Sequence, residues 1–140
     1  MTAAMYSAPG TVADVSHRLG HLLNDRSAVA QWWVDVALEL DELSARMMSE
    51  SQTLWRSLRA QLSTDAPYLS SQLRRIDDEQ DELQSQVLHV RLLTGQSAGD
   101  PEGALTVRAA VRDLLHRLRR HEERTSRLMV DAYVVDLGGE

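Results

Sequence analysis

The chain has no cysteine, no lysine and no phenylalanine, and only three prolines among its 140 residues. Without cysteine there are no disulfides, no thiolate metal sites and no cysteine nucleophiles. No run of 18 apolar residues occurs, so no segment reads as a membrane-spanning helix and no membrane partner is expected. Met1 to Gly10 lack the basic start and continuous apolar stretch of a secretory signal, which makes a cytoplasmic location the expectation. Positive charge is also short: 15 basic residues face 21 acidic ones, a net charge of -6, whereas binding nucleic acid needs a basic surface. All fifteen basic residues are arginine, a skew of coding composition that says little about mechanism. Catalytic Ser-His-Asp spacing, a phosphate loop and a nucleotide fingerprint are missing too, and whether the chain is an enzyme stays open. What remains, 43% apolar and 26% charged, suits one domain that buries roughly two thirds of its unfolded surface.

Proline and glycine gather at Pro9-Gly10, Pro67, Gly95 to Gly103 and Gly138-Gly139, with Gly20 isolated, and the stretches between them have helical periodicity. Thr11 with Asp14 forms a capping box that opens the first helix, and Ser27 is placed to cap a long second helix reaching about Leu62. Asp65-Ala66-Pro67 opens the third. Asp100-Pro101-Glu102 opens the fourth with a capping oxygen, a proline that loses no helical hydrogen bond there, and an acid facing the helix dipole. Gly95 and Gly138 read as stops. The expected architecture is all-α, an up-down-up-down four-helix bundle over residues 11–135, with a flexible segment 1–10 and a tail 136–140.

Apolar stripes give the register. The second helix turns Trp33, Val36, Leu40, Leu43, Met47, Glu50 and Leu54 inward. The third turns Leu69, Leu73, Ile76, Gln80, Leu83, Val87 and Val90 inward, and the fourth Val107, Val111, Leu114, Leu118, His121, Thr125 and Leu128. Each stripe is interrupted by polar residues near its middle. With turns near Asp65 and Asp100, Glu50 and Gln80 lie fifteen residues either side of the first turn, and Gln80 and His121 twenty and twenty-one either side of the second. Antiparallel helices therefore bring the three level. Residues one turn away, Arg46, Gln84 and Thr125, extend the layer to a cation, a carboxylate, two amides, an imidazole and a hydroxyl. Buried polar groups must be satisfied or cost a few kcal/mol each, so this layer is the leading candidate for a binding site.

The segment Leu43-Ser-Ala-Arg-Met-Met-Ser-Glu-Ser-Gln-Thr-Leu-Trp55 resembles the helix of hemerythrin-like (HHE) domains that carries His and Glu four residues apart followed by Leu-Trp. Asp65-Ala-Pro-Tyr-Leu69, Arg75 to Leu83 and Leu118 to Leu128 are similar to later parts of that fold, as is the closing Asp-Ala-Tyr-Val-Val-Asp-Leu-Gly-Gly-Glu. The resemblance covers about residues 11 to 135. It implies a four-helix bundle around a non-haem di-iron site that handles oxygen, nitric oxide, peroxide or iron. Glu50 and His121 stand at ligand positions of that pattern, whereas Arg46, Gln80, Gln84 and Thr125 stand where it has other ligands.

A guanidinium beside a divalent cation is unfavourable, but Arg46 can donate to Glu50 across one helical turn and stand in for the metal's charge. The first expectation is accordingly a non-enzymatic ligand-binding or accessory module with an eroded di-iron site and no cofactor. The alternative is a non-haem iron or other metal protein, handling O2, NO or peroxide through a reduced site at Glu50 and His121. In the first helix, His17 and His21 have the i, i+4 spacing of a metal-binding pair but point away from the stripe of Val12, Val15, Leu19 and Leu22, so they read as a surface pair. Asp77 to Glu82 and Arg117 to Arg127 read as opposite charges pairing between helices. Trp33 fits its stripe; Trp32 does not, and is expected to mark a surface for a protein partner or a second copy.

Overall fold

The computed structural model describes residues 10–26 and 29–138, with side chains as far as Ala132. Among these residues there are four helical rods and no strand. Helix α1 spans Val12–Asn24. Helix α2, Ala30–Glu50, passes through a π-helical turn, Ser51–Trp55, into α3, Arg56–Asp65. The junction residues Glu50, Ser51, Trp55 and Arg56 all keep right-handed helical dihedrals, so this is one continuous rod. A short 3₁₀ turn, Pro67–Leu69, leads to α4, Ser70–Gln96, and α5 follows as Pro101–Gly138. No helix among the described residues is long and apolar enough to cross a membrane.

The capping chemistry explains most of the boundaries. Thr11 accepts the Asp14 N–H through its side chain while Asp14 accepts the Thr11 N–H, completing the capping box of α1. Asp100 accepts the Glu102 N–H at 3.1 Å at the start of α5. Ser27 lies outside the described residues; α2 begins after Val29, which supplies no side-chain cap. Gly95 is not a stop. Helix α4 runs one residue past it, and the turn into α5 is made at Gly99, whose φ of +85° suits a residue without a Cβ.

The helices close into a ring in which α1 packs on α2 and α5, α2 on α4, and α4 on α5. The stripes of α4 and α5 are as expected: Leu73, Ile76, Leu83, Val87 and Val90 are buried, as are Val107, Val111, Leu114, Leu118 and Leu128. The stripe of the second rod departs after Glu50. Leu54 is 68% exposed and Trp55 is 7% exposed, because the π turn contributes one residue more than an α turn and moves the inward stripe to Trp55, Leu58 and Leu62. Trp32 departs as well. It is buried beside Trp33, its ring edge-on at 5.1 Å, with its indole N–H donated to the Leu22 carbonyl and the Arg108 guanidinium 4.6 Å above it. It therefore ties the first turn of α2 to the last turn of α1 and marks no partner surface.

Two separate hydrophobic clusters result. One unites α1, α2 and the facing halves of α4 and α5; the other is built from Trp55, Leu62, Ala66, Leu69, Leu73, Ile76, Leu128 and Ala132. Helix α1, at about 20 Å, is far shorter than α5 at about 57 Å. Among the described residues, four helical rods surround the first cluster and three the second.

Candidate functional site

Beside the first turn of α1 the described residues enclose a cleft of 590 Å³. Val12, the first residue of α1, forms part of its rim, and Glu50, Ser51, Gln80, Gln84, His121 and Thr125 line it. Five of the six residues expected in the polar layer thus share one cavity between the two hydrophobic clusters. Arg46 does not. Its guanidinium Nε lies 2.6 Å from Glu42 Oε2, one turn back along the same helix, so the expected Arg46–Glu50 pair does not form. The Arg46 and Glu42 side chains are each about one third exposed, so the ion pair that does form lies at the surface.

Glu50 has another task. Its Oε2 accepts the Val12 backbone N–H at 2.9 Å, and its negative charge faces the positive end of the α1 dipole. With Thr11 and Asp14 already satisfying other free N–H groups of that first turn, the α1 N-terminus is closed by a carboxylate from α2, across 38 residues of sequence.

The other polar residues are also bound locally. Ser51 Oγ donates to Gln80 Oε1 at 3.1 Å, and Gln84 Nε2 donates to Ser44 Oγ at 2.6 Å, which fixes both amides of α4 against α2 and the π turn. Thr125 Oγ1 donates to the His121 carbonyl of its own helix at 3.0 Å. His121 Nδ1 lies 2.8 Å from Glu79 Oε1, and Arg124 binds the other oxygen of that carboxylate at 2.9 Å. The acidic run of α4 and the arginine run of α5 therefore pair here, as charge patterning suggests. Since Nδ1 is engaged, Nε2 is the ring nitrogen left to a ligand. His121 makes no hydrogen bond to Gln80.

One participant escaped the stripe argument. Glu122 also lines the cleft, and its carboxyl is held above the usual carboxylate range, first by loss of solvation and then by the nearby Glu50 charge, against opposing contributions from His121 and Arg119. The signal was present in the sequence: Glu122 and Met129 each follow a residue of the stripe, Leu118 and Thr125, by four, and all four line the cleft. Met47, Leu54, Leu58, Leu83 and Met129 provide apolar wall.

The donor set does not fit a di-iron centre. Four of the six positions hold a cation, two neutral amides and a hydroxyl, and each of these has the other partner described above. No group of three or more His, Asp or Glu side chains placed to hold a metal ion occurs among the described residues. His17 and His21 are exposed on α1 and are not part of the cleft. No family model, no curated protein and no solved structure matches the chain.

Proposed function

We propose that this chain is a non-enzymatic small-molecule-binding module: a hemerythrin-like, up-down-up-down bundle whose polar centre serves an organic ligand in place of a di-iron pair. The observation that carries this reading is the cleft itself. It combines apolar walls with two carboxylates, Glu50 and Glu122, the charge of Glu50 opposing ionisation of Glu122, and neither forms an ion pair among the described residues. A cavity of this size suits a small organic ligand. The chemistry it favours is a compact apolar body bearing an ammonium group: the cation relieves the repulsion between the carboxylates, and the flexible methionines adapt to the body.

Thermal denaturation with benzylammonium, and with benzyl alcohol as its neutral counterpart, tests the reading. The amine is expected to raise the Tm of the parent more than the alcohol does, because a ligand of the folded state stabilises by mass action. In Glu122→Gln the preference should shrink. Equal responses to amine and alcohol, or a preference unchanged by the substitution, would overturn it.

A second reading rests on the Glu79–His121 contact. A carboxylate on Nδ1 is the arrangement that orients a histidine to bind a metal through Nε2, and Glu50, on the same cleft, would supply negative charge for a single iron or other divalent ion. Near-stoichiometric iron in untagged protein, lost in His121→Gln, would establish this reading in place of the first.

A further inference from the structure

We propose that His17 and His21 form a bidentate chelating site on the outer face of α1 for a late first-row divalent cation such as zinc, nickel or copper. The site is independent of the cleft, which neither residue lines. The two rings are exposed, meet edge-on with centroids 4.6 Å apart, and bring their Nε2 atoms to 3.1 Å. Two nitrogens at about 2.0–2.1 Å from one metal, at angles between octahedral and tetrahedral, stand roughly 2.9–3.4 Å apart. The observed separation falls inside that interval, so the two nitrogens already have the spacing of a chelating pair, and small rotations of the exposed rings turn both lone pairs towards one cation.

The two Nε2 atoms stand at hydrogen-bond distance, which between neutral rings requires one of them to carry the bridging proton. On binding, the ring that carries this proton moves it to its own Nδ1 through solvent, and both Nε2 lone pairs bind the cation. Between neutral rings no net proton is released. Imidazole nitrogen suits zinc, nickel and copper, and water completes the coordination.

Two features of the surroundings favour a cation here. His21 lies in the last turn of α1, at the negative end of the helix dipole. The arginine next to His17 in sequence is committed elsewhere: Arg18 Nε is bound by both oxygens of Glu39, each at 3.0 Å.

Isothermal titration of the untagged full chain with nickel chloride and with zinc chloride tests the proposal. One equivalent of metal is expected to bind, and His17→Ala and His21→Ala should each weaken it at least tenfold while leaving helicity unchanged. His116→Ala and His121→Gln should keep the parental affinity. Nickel should also broaden the imidazole resonances of His17 and His21 before those of the other histidines. Absence of binding, binding that survives both alanine variants, or loss confined to His121→Gln would overturn the proposal, the last by placing the metal in the cleft.

Discussion

Glu50 illustrates how one residue serves fold and site together. Its carboxylate closes the N-terminus of α1, and the same charge lies close enough to Glu122 to oppose ionisation there. The sign of the consequence follows from linkage. In the folded chain the pKa of Glu122 stands above its ordinary value of 4.5, so the folded state holds the proton more tightly than the unfolded state does. The associated destabilisation is absent below the ordinary value, grows as pH rises towards the folded pKa, and is complete above it. Glu122→Gln removes the titrating charge. The variant is expected to be more stable than the parent at pH 7, with the difference shrinking towards pH 4.5 and vanishing below it; urea denaturation at the two pH values measures this. A constant difference across that range would show that the substitution acts through packing alone.

Among the elements, two of the helical glycines, Gly20 and Gly103, behave oppositely. Gly20 in α1 has open space where a Cβ would stand, so alanine adds helix propensity without a clash and should stabilise by about 0.5–1 kcal/mol. At Gly103, near the start of α5, a Cβ would come 2.6 Å from Ser97 Cβ and 2.9 Å from the Ser97 carbonyl oxygen. The latter is backbone and cannot swing aside, so Gly103→Ala should destabilise by roughly 1–3 kcal/mol as α5 is pushed off the turn. Chemical denaturation of the two variants distinguishes the cases, and a stabilised Gly103→Ala would refute the close approach. The π turn is a second feature of element scale. The Arg56 N–H bonds to the Ser51 carbonyl, five residues back, and this wider turn brings Ser51 to Gln80 and turns Trp55 inward to donate to Asp77 at 2.7 Å.

For the whole molecule, unequal helix lengths matter more than any single contact. Among the described residues, α1 starts at Val12 and the cluster around Trp55, Ile76 and Leu128 is built without it, by three helical rods, with the cleft between this cluster and the larger one. Local stability follows the number of buried apolar partners. Amides of α3 are therefore expected to exchange with solvent faster than those of α2 around Leu40 and Leu43, which are fully buried in the larger cluster. Native-state hydrogen exchange reads the order directly. Equal protection in the two segments would mean that the bundle opens as one unit, with no weaker end beside the cleft.

Composition and periodicity by themselves determined the helical class, the capping box of α1, the start of α5, and the inward faces of α4 and α5, because each depends on residues within a turn or two of one another. They also brought Glu50, Gln80, Gln84, His121 and Thr125 to one height, since the rise of a helix is constant. Tertiary structure decided the rest. Arg46 has acids one turn away on both sides, Glu42 and Glu50, and sequence spacing alone does not choose between them; the free N–H of Val12 claims Glu50 and leaves Glu42 to Arg46. Trp32 and Trp33 are adjacent, and only the packing of α1 and α5 against α2 gives both a buried place. The shift from Leu54 to Trp55 needed a π turn, which a fixed helical period does not contain. The cleft is lined by residues of α1, the second rod, α4 and α5, a relation between elements that no single segment of the chain carries.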